Sequence, residues 1–208
     1  PTETFHNVTS TIKKKHLNTV CEESHCPNMA ECWSGGTATF MVMGDTCTRA
    51  CRFCNIKTAL KGQPLDPEEP KKLVKALEEM QLFEYIVLTS VDRDDLPDQG
   101  SNHIAKCIKE IKQSYKKMLV EVLIPDFQGR KDLLKNITNS QPDVIAHNIE
   151  TVERLQPIVR DRRASYKQSL NVLSNLKNLN PNIITKSSIM LGLGEKKEEV
   201  IQAMKDLR

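Results

Sequence analysis

The chain has 208 residues, of which 38% are hydrophobic and 27% charged, and its formal net charge is +3. This composition is ordinary for a soluble globular protein, and the length suits one large domain such as an α/β barrel. The small net charge and the 4% aromatic content argue against nucleic-acid binding, and no apolar run approaches the roughly 18 residues of a membrane span. Because the first residues lack the apolar stretch of a signal peptide, we expect a cytoplasmic protein.

The cysteines are concentrated toward the N-terminus of the chain. Six of the seven lie between Cys21 and Cys54, where even scattering would put about one. In a chain without an export signal cysteines stay reduced, so metal or cluster ligation is favoured over disulfides. They form two triads of different spacing, which are Cys21, Cys26 and Cys32 (the first triad) and Cys47, Cys51 and Cys54 (the second triad).

The number of cysteines per triad favours iron–sulfur clusters. Three thiolates fit a cubane cluster in which one iron stays open for another ligand. Structural zinc usually takes four ligands in two close pairs, and only Cys51 and Cys54 form such a pair. Zinc stays an alternative, because His25 could complete a site of three cysteines and one histidine, and a water could complete the second triad.

Hydrophobic periodicity predicts alternating strands and helices. A strand is expected over 37–45, delivering Cys47 at its carboxyl end, followed by a helix over 66–82 and a buried strand over 85–91. The later predicted elements are a helix over 101–117, a strand over 118–124, a helix over 129–138, a strand over 143–149, helices over 151–158 and 166–179, a strand over 183–192 and a helix over 196–207.

This alternation favours an α/β fold with parallel strands inside and helices outside. Repeated right-handed crossovers would curl the sheet toward a barrel, although an open doubly wound sheet fits the pattern equally. In a barrel the reactive groups collect where the strands end. We therefore expect the polar residues at the predicted strand ends to share one rim with the second triad.

The stretch CTRACRFC (47–54) resembles the cluster-binding motif of radical S-adenosylmethionine (SAM) enzymes, with its three-then-two spacing and an aromatic residue before the last cysteine. With CEESHCPNMAEC (21–32) added, the chain is similar to the lipoyl synthase family from about residue 17 to the end. A sulfur-inserting enzyme of the biotin synthase type is the alternative, but its auxiliary ligands would be scattered among later strands. The further matching stretches are LTSVDRDDLPDQG (88–100), VEVLIPDFQG (120–129), AHNIETVERL (146–155) and TKSSIMLGLGEKKEEV (185–200).

The resemblance implies two 4Fe-4S clusters with separate tasks. The second triad would hold the cluster that binds and reduces SAM, whose cleavage yields a 5′-deoxyadenosyl radical, and the first triad would hold an auxiliary cluster that supplies sulfur. The implied reaction inserts two sulfur atoms, at carbons 6 and 8 of an octanoyl group on a lysine of a lipoyl carrier domain. That carrier would be a 2-oxoacid dehydrogenase E2 component or the glycine cleavage H protein. An electron donor and an iron–sulfur carrier are further implied partners.

The resemblance also implies SAM-binding residues, with no catalytic residue beyond the cluster ligands. Phe53 would pack near the adenine, Thr89 and Ser90 would meet the methionine amino group, and Glu121 and Asn148 would bond the ribose or the methionine. Two glycines of the LGLGE stretch would let the backbone approach the adenine. Each has a plain alternative as a cap, core or turn residue. The full set is Phe53, Thr89, Ser90, Glu121, Asn148, Gly192 and Gly194.

The chain departs from the family at its end. Lipoyl synthases continue with a further strand and an arginine–serine–serine–tyrosine segment whose serine ligates the auxiliary cluster, and that segment is not found before Arg208. We therefore expect a fragment or truncated form, with an N-terminal extension over 1–36 that carries the first triad and an incomplete barrel over 37–208. In a eukaryotic source the compartment would be the mitochondrion or plastid.

Overall fold

A computed structural model describes residues 3–15, 17–35, 37–80 and 84–208. The strands are β1 (Asn18–Thr19), β2 (Thr39–Val42), β3 (Thr46–Cys47), β4 (Lys57–Thr58), β5 (Tyr85–Ser90), β6 (Leu119–Leu123), β7 (Val144–Ala146) and β8 (Ile184–Lys186). The α-helices are α1 (Glu3–Lys15), α2 (Val20–Glu23), α3 (Met29–Ser34), α4 (Glu69–Met80), α5 (Ser101–Ser114), α6 (Lys131–Thr138), α7 (Gln156–Val159), α8 (Tyr166–Leu179) and α9 (Lys197–Asp206). None of the helices in these ranges is long and apolar enough to cross a membrane.

Six strands form one mixed sheet in the order β1-β2-β5-β6-β7-β8. Strand β1 runs antiparallel to β2, and every later pairing is parallel. A doubly wound sheet would reverse its strand order at a switch point, whereas here each new strand is added on the same side of the one before. The fold is therefore a partial α/β barrel, and the alternation predicted from sequence is confirmed.

The helices form a layer on the outer face of the sheet, in chain order. Helix α4 packs on α5, α5 on α6, and α6 on α8. Helix α4 buries Leu73, Leu77 and Met80, the stripe that its sequence spacing indicates. Alternate residues of the central strands, such as Ile86 and Val120, are fully buried against this layer. The opposite face of each strand is left to line the barrel interior.

The N-terminal segment joins the same core. Val8 and Ile12 of α1 and Trp33 of α3 are buried in one cluster with residues of the barrel strands and helices. Strand β1 extends the sheet beyond β2. A boundary at residue 36, which lies outside the described residues, stays a prediction.

The largest correction concerns the strand predicted over 37–45. Strand β2 ends at Val42, because Met43 and Gly44 adopt left-handed backbone conformations with φ of 71° and 85°. Cys47 lies instead on β3, a separate short strand that pairs with β4. The prediction that one strand delivers Cys47 is therefore wrong.

Other elements are shorter than predicted, for local reasons. The strand over 143–149 is reduced to β7, and that over 183–192 to β8 plus an isolated bridge between Glu150 and Ile189. The helix over 129–138 begins at Lys131, after a 3-10 turn in which Gln128 has a φ of 52°. The predicted helix over 151–158 is a 3-10 turn followed by α7, and helix 101–117 ends at Ser114. Residues 81 and 82 of the helix predicted over 66–82 lie outside the described residues.

Candidate functional site

A cavity of about 370 Å³ opens at the carboxyl ends of β2, β5, β6 and β7. Parallel strands bring their carboxyl ends to one rim, so residues distant in sequence meet there. All three cysteines of the second triad line it. The other predicted site residues that line it are Phe53, Thr89, Ser90 and Asn148.

The loop that carries the second triad is anchored at both sides of this rim. On the β5 side, the Thr48 hydroxyl and N–H donate to the Asp92 carbonyl at 3.0 and 2.9 Å. On the far side, the Arg52 N–H donates to the Val159 carbonyl at 2.9 Å, and the Ala50 N–H to an Asp161 carboxylate oxygen at 3.0 Å. These hydrogen bonds hold the loop through protein groups alone.

Arg49, within the loop, is buried between two carboxylates. Its guanidinium donates two hydrogen bonds of 2.9 Å to Asp94, and two of 2.7 and 2.8 Å to Asp126. Burial disfavours the charged guanidinium, but these bonds outweigh it and the pKa of Arg49 is raised. For Asp94, burial alone would raise the pKa, but the hydrogen bonds and the charge of Arg49 outweigh burial and lower the pKa to about 2. Arg49 with Asp94 and Asp126 (the clamp) joins the loop to the segments that follow β5 and β6.

Two thiols of the second triad, those of Cys47 and Cys51, are held in the protonated form while no metal is bound. Burial, and then the Asp92 carboxylate, raise the pKa of Cys47 to about 11. Burial also raises the pKa of Cys51. A metal must therefore displace these protons. Backbone N–H groups point at both sulfurs, from Arg49 to Cys47 at 3.4 Å and from Asp161 to Cys51 at 3.3 Å. Such donors stabilise ligating thiolates and tune iron–sulfur clusters.

Three buried polar atoms at the cavity have no hydrogen-bond partner among the described residues. They are Ser90 Oγ, Asp92 Oδ1 and Arg160 Nε, and all three side chains line the cavity. Asp92 Oδ1 lies 3.3 Å from Arg49 Nε, but that N–H is directed at Asp94. An acceptor, a hydroxyl and a cationic donor suit a ligand with both an ammonium and a carboxylate group. The cavity therefore fits the amino-acid end of a small molecule placed beside the second triad.

Arg160 is held in place by a buried histidine that sequence reasoning left without a role. His147 Nδ1 donates to the Ile124 carbonyl at 2.9 Å, and its Nε2 lies 2.9 Å from Ser169 Oγ. That hydroxyl also accepts from Arg160 Nη1 at 2.8 Å. Burial lowers the pKa of His147 to about 4, so the ring is neutral at pH 7 and can accept from Ser169.

The first triad flanks the same cavity. Cys21 lies on α2, Cys26 in the turn after it and Cys32 on α3, where Cys32 is exposed and the other two are half-buried. Val20 and Ser24, which bracket Cys21, line the cavity. The turn is closed by the Cys26 N–H donating to the Cys21 carbonyl at 3.0 Å.

The sulfur spacing bears on the zinc alternative. Within the part of the chain that the structure describes, the sulfurs of neither triad all lie within 4.8 Å of one another. Tetrahedral zinc with Zn–S bonds of about 2.3 Å would bring its sulfurs to about 3.8 Å. In each triad at least one pair of sulfurs is therefore farther apart than tetrahedral zinc would place them.

Three predicted site residues lie away from the cavity lining. Glu121 accepts from Lys186 Nζ at 2.8 Å and from the Tyr85 hydroxyl, inside the barrel. Gly192 and Gly194 lie in an exposed loop before α9, with φ of 101° and 100°. A Cβ added at either glycine would meet open space, so the backbone conformation, not a close approach, requires glycine there. The roles of all three in binding stay predictions.

Sequence reasoning missed Arg49 and Arg160 as parts of the site, and it placed Asp126 at a strand end without giving it a role. Arg49 stands inside the cysteine motif and Asp126 follows β6, but their partnership spans 77 residues. Arg160 lies in the RDRR run, whose ordinary interpretation is a solvated face. The only available signal was the placement of charged residues beside a motif or a strand end.

Comparisons with known proteins agree with this geometry. The radical SAM superfamily profile matches residues 41–207. The chain is 58% identical to the mitochondrial lipoyl synthase of Culex quinquefasciatus, with 98% of this chain and 55% of that protein covered. It is 54% identical to the lipoyl synthase of Methanocella arvoryzae, with 100% of this chain and 70% of that protein covered. It thus spans between about half and about two thirds of the length of these relatives.

Among solved structures, the maturase HydG of FeFe-hydrogenase superposes with a TM-score of 0.64 at 17% identity. The match covers 98% of this chain and 51% of HydG, and at that identity it supports the fold alone. The superfamily match covers most of the chain, and the cysteine loop stands at the rim where the barrel strands end. The chain therefore belongs to the radical SAM superfamily and, within it, to the lipoyl synthase family.

Proposed function

We propose that the protein is a lipoyl synthase, which inserts two sulfur atoms at carbons 6 and 8 of a protein-bound octanoyl-lysine. The observation that carries the proposal is the presence of two cysteine triads at one cavity, the second lining it and the first flanking it. Two separate sulfur-rich sites suit a reaction that needs both a radical and a sulfur donor. The curated relatives, named lipoyl synthases, support the same activity.

Membership of the radical SAM superfamily implies one 4Fe-4S cluster and SAM. Cys47, Cys51 and Cys54 are the proposed ligands. When bound, the cluster and SAM together supply a carbon-centred radical that can remove hydrogen from an unactivated carbon. The chain contributes the anchored loop, the N–H donors to sulfur and a cavity that partly encloses the reacting groups.

The methionine end of SAM would be held by the cavity's unpartnered groups. Arg160 Nε is suited to the carboxylate, and Asp92 Oδ1 and Ser90 Oγ to the ammonium group. Thr89 and Asn148 line the same wall, and Phe53 offers an aromatic face for the adenine. The proposed contacts of Glu121, Gly192 and Gly194 with SAM would require a longer reach, since these residues lie outside the cavity lining.

Cys21, Cys26 and Cys32 are the proposed ligands of a second, auxiliary 4Fe-4S cluster that donates sulfur. The support is the position of their segment beside the cavity, which Val20 and Ser24 line. An enzyme of the biotin synthase type is less well supported, because these ligands precede the radical SAM motif in the chain.

The substrate is proposed to be an octanoyl group on the lysine of a lipoyl carrier domain, either a 2-oxoacid dehydrogenase E2 component or the glycine cleavage H protein. Met41, Val91, Leu123 and Ile124 give the cavity an apolar wall that suits an alkyl chain. An electron donor and an iron–sulfur carrier complete the proposed partners. The proposed compartment is the cytoplasm, or the mitochondrion or plastid in a eukaryotic source.

The test is product analysis after anaerobic reconstitution with iron and sulfide. With SAM, dithionite and an octanoyl-lysine peptide, the proposal predicts 5′-deoxyadenosine together with a peptide that has gained sulfur. Absence of SAM cleavage by iron-loaded protein would contradict a radical SAM activity. Cleavage without sulfur insertion would contradict lipoyl synthesis by these residues alone.

A further inference from the structure

A buried polar pair outside the cavity lies against the turn that leads from β2 to the cysteine loop. Glu69, the first residue of α4, and His103 of α5 are each 8% exposed. His103 Nε2 lies 2.6 Å from Glu69 Oε2, and the same oxygen accepts the Met43 N–H at 3.0 Å. Groups from two helices and the end of a strand therefore meet at one carboxylate oxygen.

The turn that this oxygen holds has an unfavourable backbone. Met43 has a φ of 71°, a conformation that a residue with a long side chain adopts only when its surroundings fix it. Its side chain lies against Gly100, where an added Cβ would come within 2.0 Å of the Met43 sulfur. Two contacts thus hold the turn. The Met43 N–H donates to Glu69, and the Met43 side chain packs against Gly100, where only glycine leaves room for it.

The position of the turn determines where the second triad begins. Strand β2 ends at Val42, the chain reverses at Met43 and Gly44, and Cys47 follows on β3. We propose that Glu69 and His103 are positioning residues, which act through the Met43 backbone to hold the start of the cysteine loop. The consequence for cluster binding rests on the proposed function, whereas the effect on the turn does not.

A neighbouring thiol offers a competing explanation. Cys107 lies one turn after His103 on α5, and its sulfur is within 4.8 Å of ligand atoms of Glu69 and His103. Together the three could form a metal site. The positioning role needs the Glu69 oxygen and the His103 ring but not the thiol. Iron retention by Cys107→Ala therefore separates the two explanations, because a metal site would need the thiol and the positioning role would not.

The experiment measures amide hydrogen exchange over residues 43–47 in the metal-free chain. Glu69→Met removes the acceptor at similar volume, and Glu69→Gln retains one. We expect about tenfold faster exchange in Glu69→Met, as for the loss of one hydrogen bond to a charged group, with wild-type exchange in Glu69→Gln and Cys107→Ala. His103→Leu, which leaves the acceptor but removes its support, is expected to give a smaller increase and does not depend on the folding of a Glu69 variant.

Faster exchange throughout the chain in both Glu69→Met and His103→Leu would overturn the proposal, because it would indicate general destabilisation. Equal effects of Cys107→Ala and Glu69→Met on exchange would overturn it, because removal of a thiol that the positioning role does not need would then loosen the turn as much as removal of the acceptor. Iron retained after anaerobic gel filtration is the second readout, and we expect Glu69→Met to lose iron where Glu69→Gln does not. Since the exchange measurement uses protein without metal, a failure to cleave SAM would count against the proposed function and not against this inference.

Discussion

Arg49 couples the cysteine loop to the barrel through both of its carboxylate partners. Asp94 and Asp126 follow different strands, and each accepts two hydrogen bonds from the one guanidinium. A buried carboxylate that loses its main counter-charge is strongly destabilising, since water cannot solvate it in the interior. The same clamp fixes the backbone between Cys47 and Cys51.

We predict that Arg49→Met lowers the free energy of unfolding of the metal-free protein by about 3–5 kcal/mol. Arg52→Met is the matched control, because Arg52 lies in the same loop but is exposed, and we expect a change within about 0.5 kcal/mol. Urea unfolding measures both. Equal stability of the two variants would contradict the clamp.

A pH dependence follows from Asp94. Its pKa is about 2 in the folded protein, against an ordinary value of 3.8. A depressed pKa means that the unfolded chain binds protons first, so this contribution to stability is complete above about pH 4 and is lost as the pH falls toward 2. We therefore measure the free energy of unfolding of the metal-free protein as a function of pH. In Asp94→Asn the loss of stability between about pH 4 and pH 2 should be smaller than in the wild-type protein. An unchanged acid profile in Asp94→Asn would refute the assignment.

At the scale of elements, the N-terminal helices are part of the barrel's own core. Trp33 of α3 is fully buried in the cluster that includes Phe40 of β2 and Leu73 of α4. Sequence periodicity predicted no helix or strand in this segment, since its apolar residues are few and are interrupted by cysteines. Helix α8, by contrast, was predicted over the residues that it occupies, because its apolar stripe and its Ser165 cap are both local signals.

We therefore predict that Trp33→Ala destabilises the whole protein by about 3–5 kcal/mol, in a single unfolding transition. Leu60→Ala is the control, because Leu60 is 95% exposed. Calorimetry that resolved two transitions, with only the smaller one shifted by Trp33→Ala, would show instead that the segment folds separately.

At the scale of the molecule, the spacing of the cysteines predicted the type of chemistry, but it did not predict the detailed geometry of the site. The two triads and the rim of polar residues could be predicted because ligand spacing and strand ends are local patterns. The partners of Arg49 could not, because they lie 45 and 77 residues away and only the strand order brings them together. The break at Met43 was missed because it depends on Glu69, a tertiary partner.

Two triads at one cavity also predict a division of labour. Cys51→Ala removes a proposed ligand of the SAM-binding cluster, so we expect SAM cleavage to be abolished. Cys26→Ala is the matched variant in the first triad, and we expect it to retain cleavage to 5′-deoxyadenosine but to lose sulfur insertion. Chromatographic assay of both products distinguishes the two effects.

The most direct single measurement is the iron content of the anaerobically reconstituted wild-type chain beside that of the Cys26→Ala variant. Two cubane clusters predict about eight irons per wild-type chain and about four in the variant. Zinc in place of iron, or an iron content that is the same in both proteins, would contradict two clusters held by two separate triads.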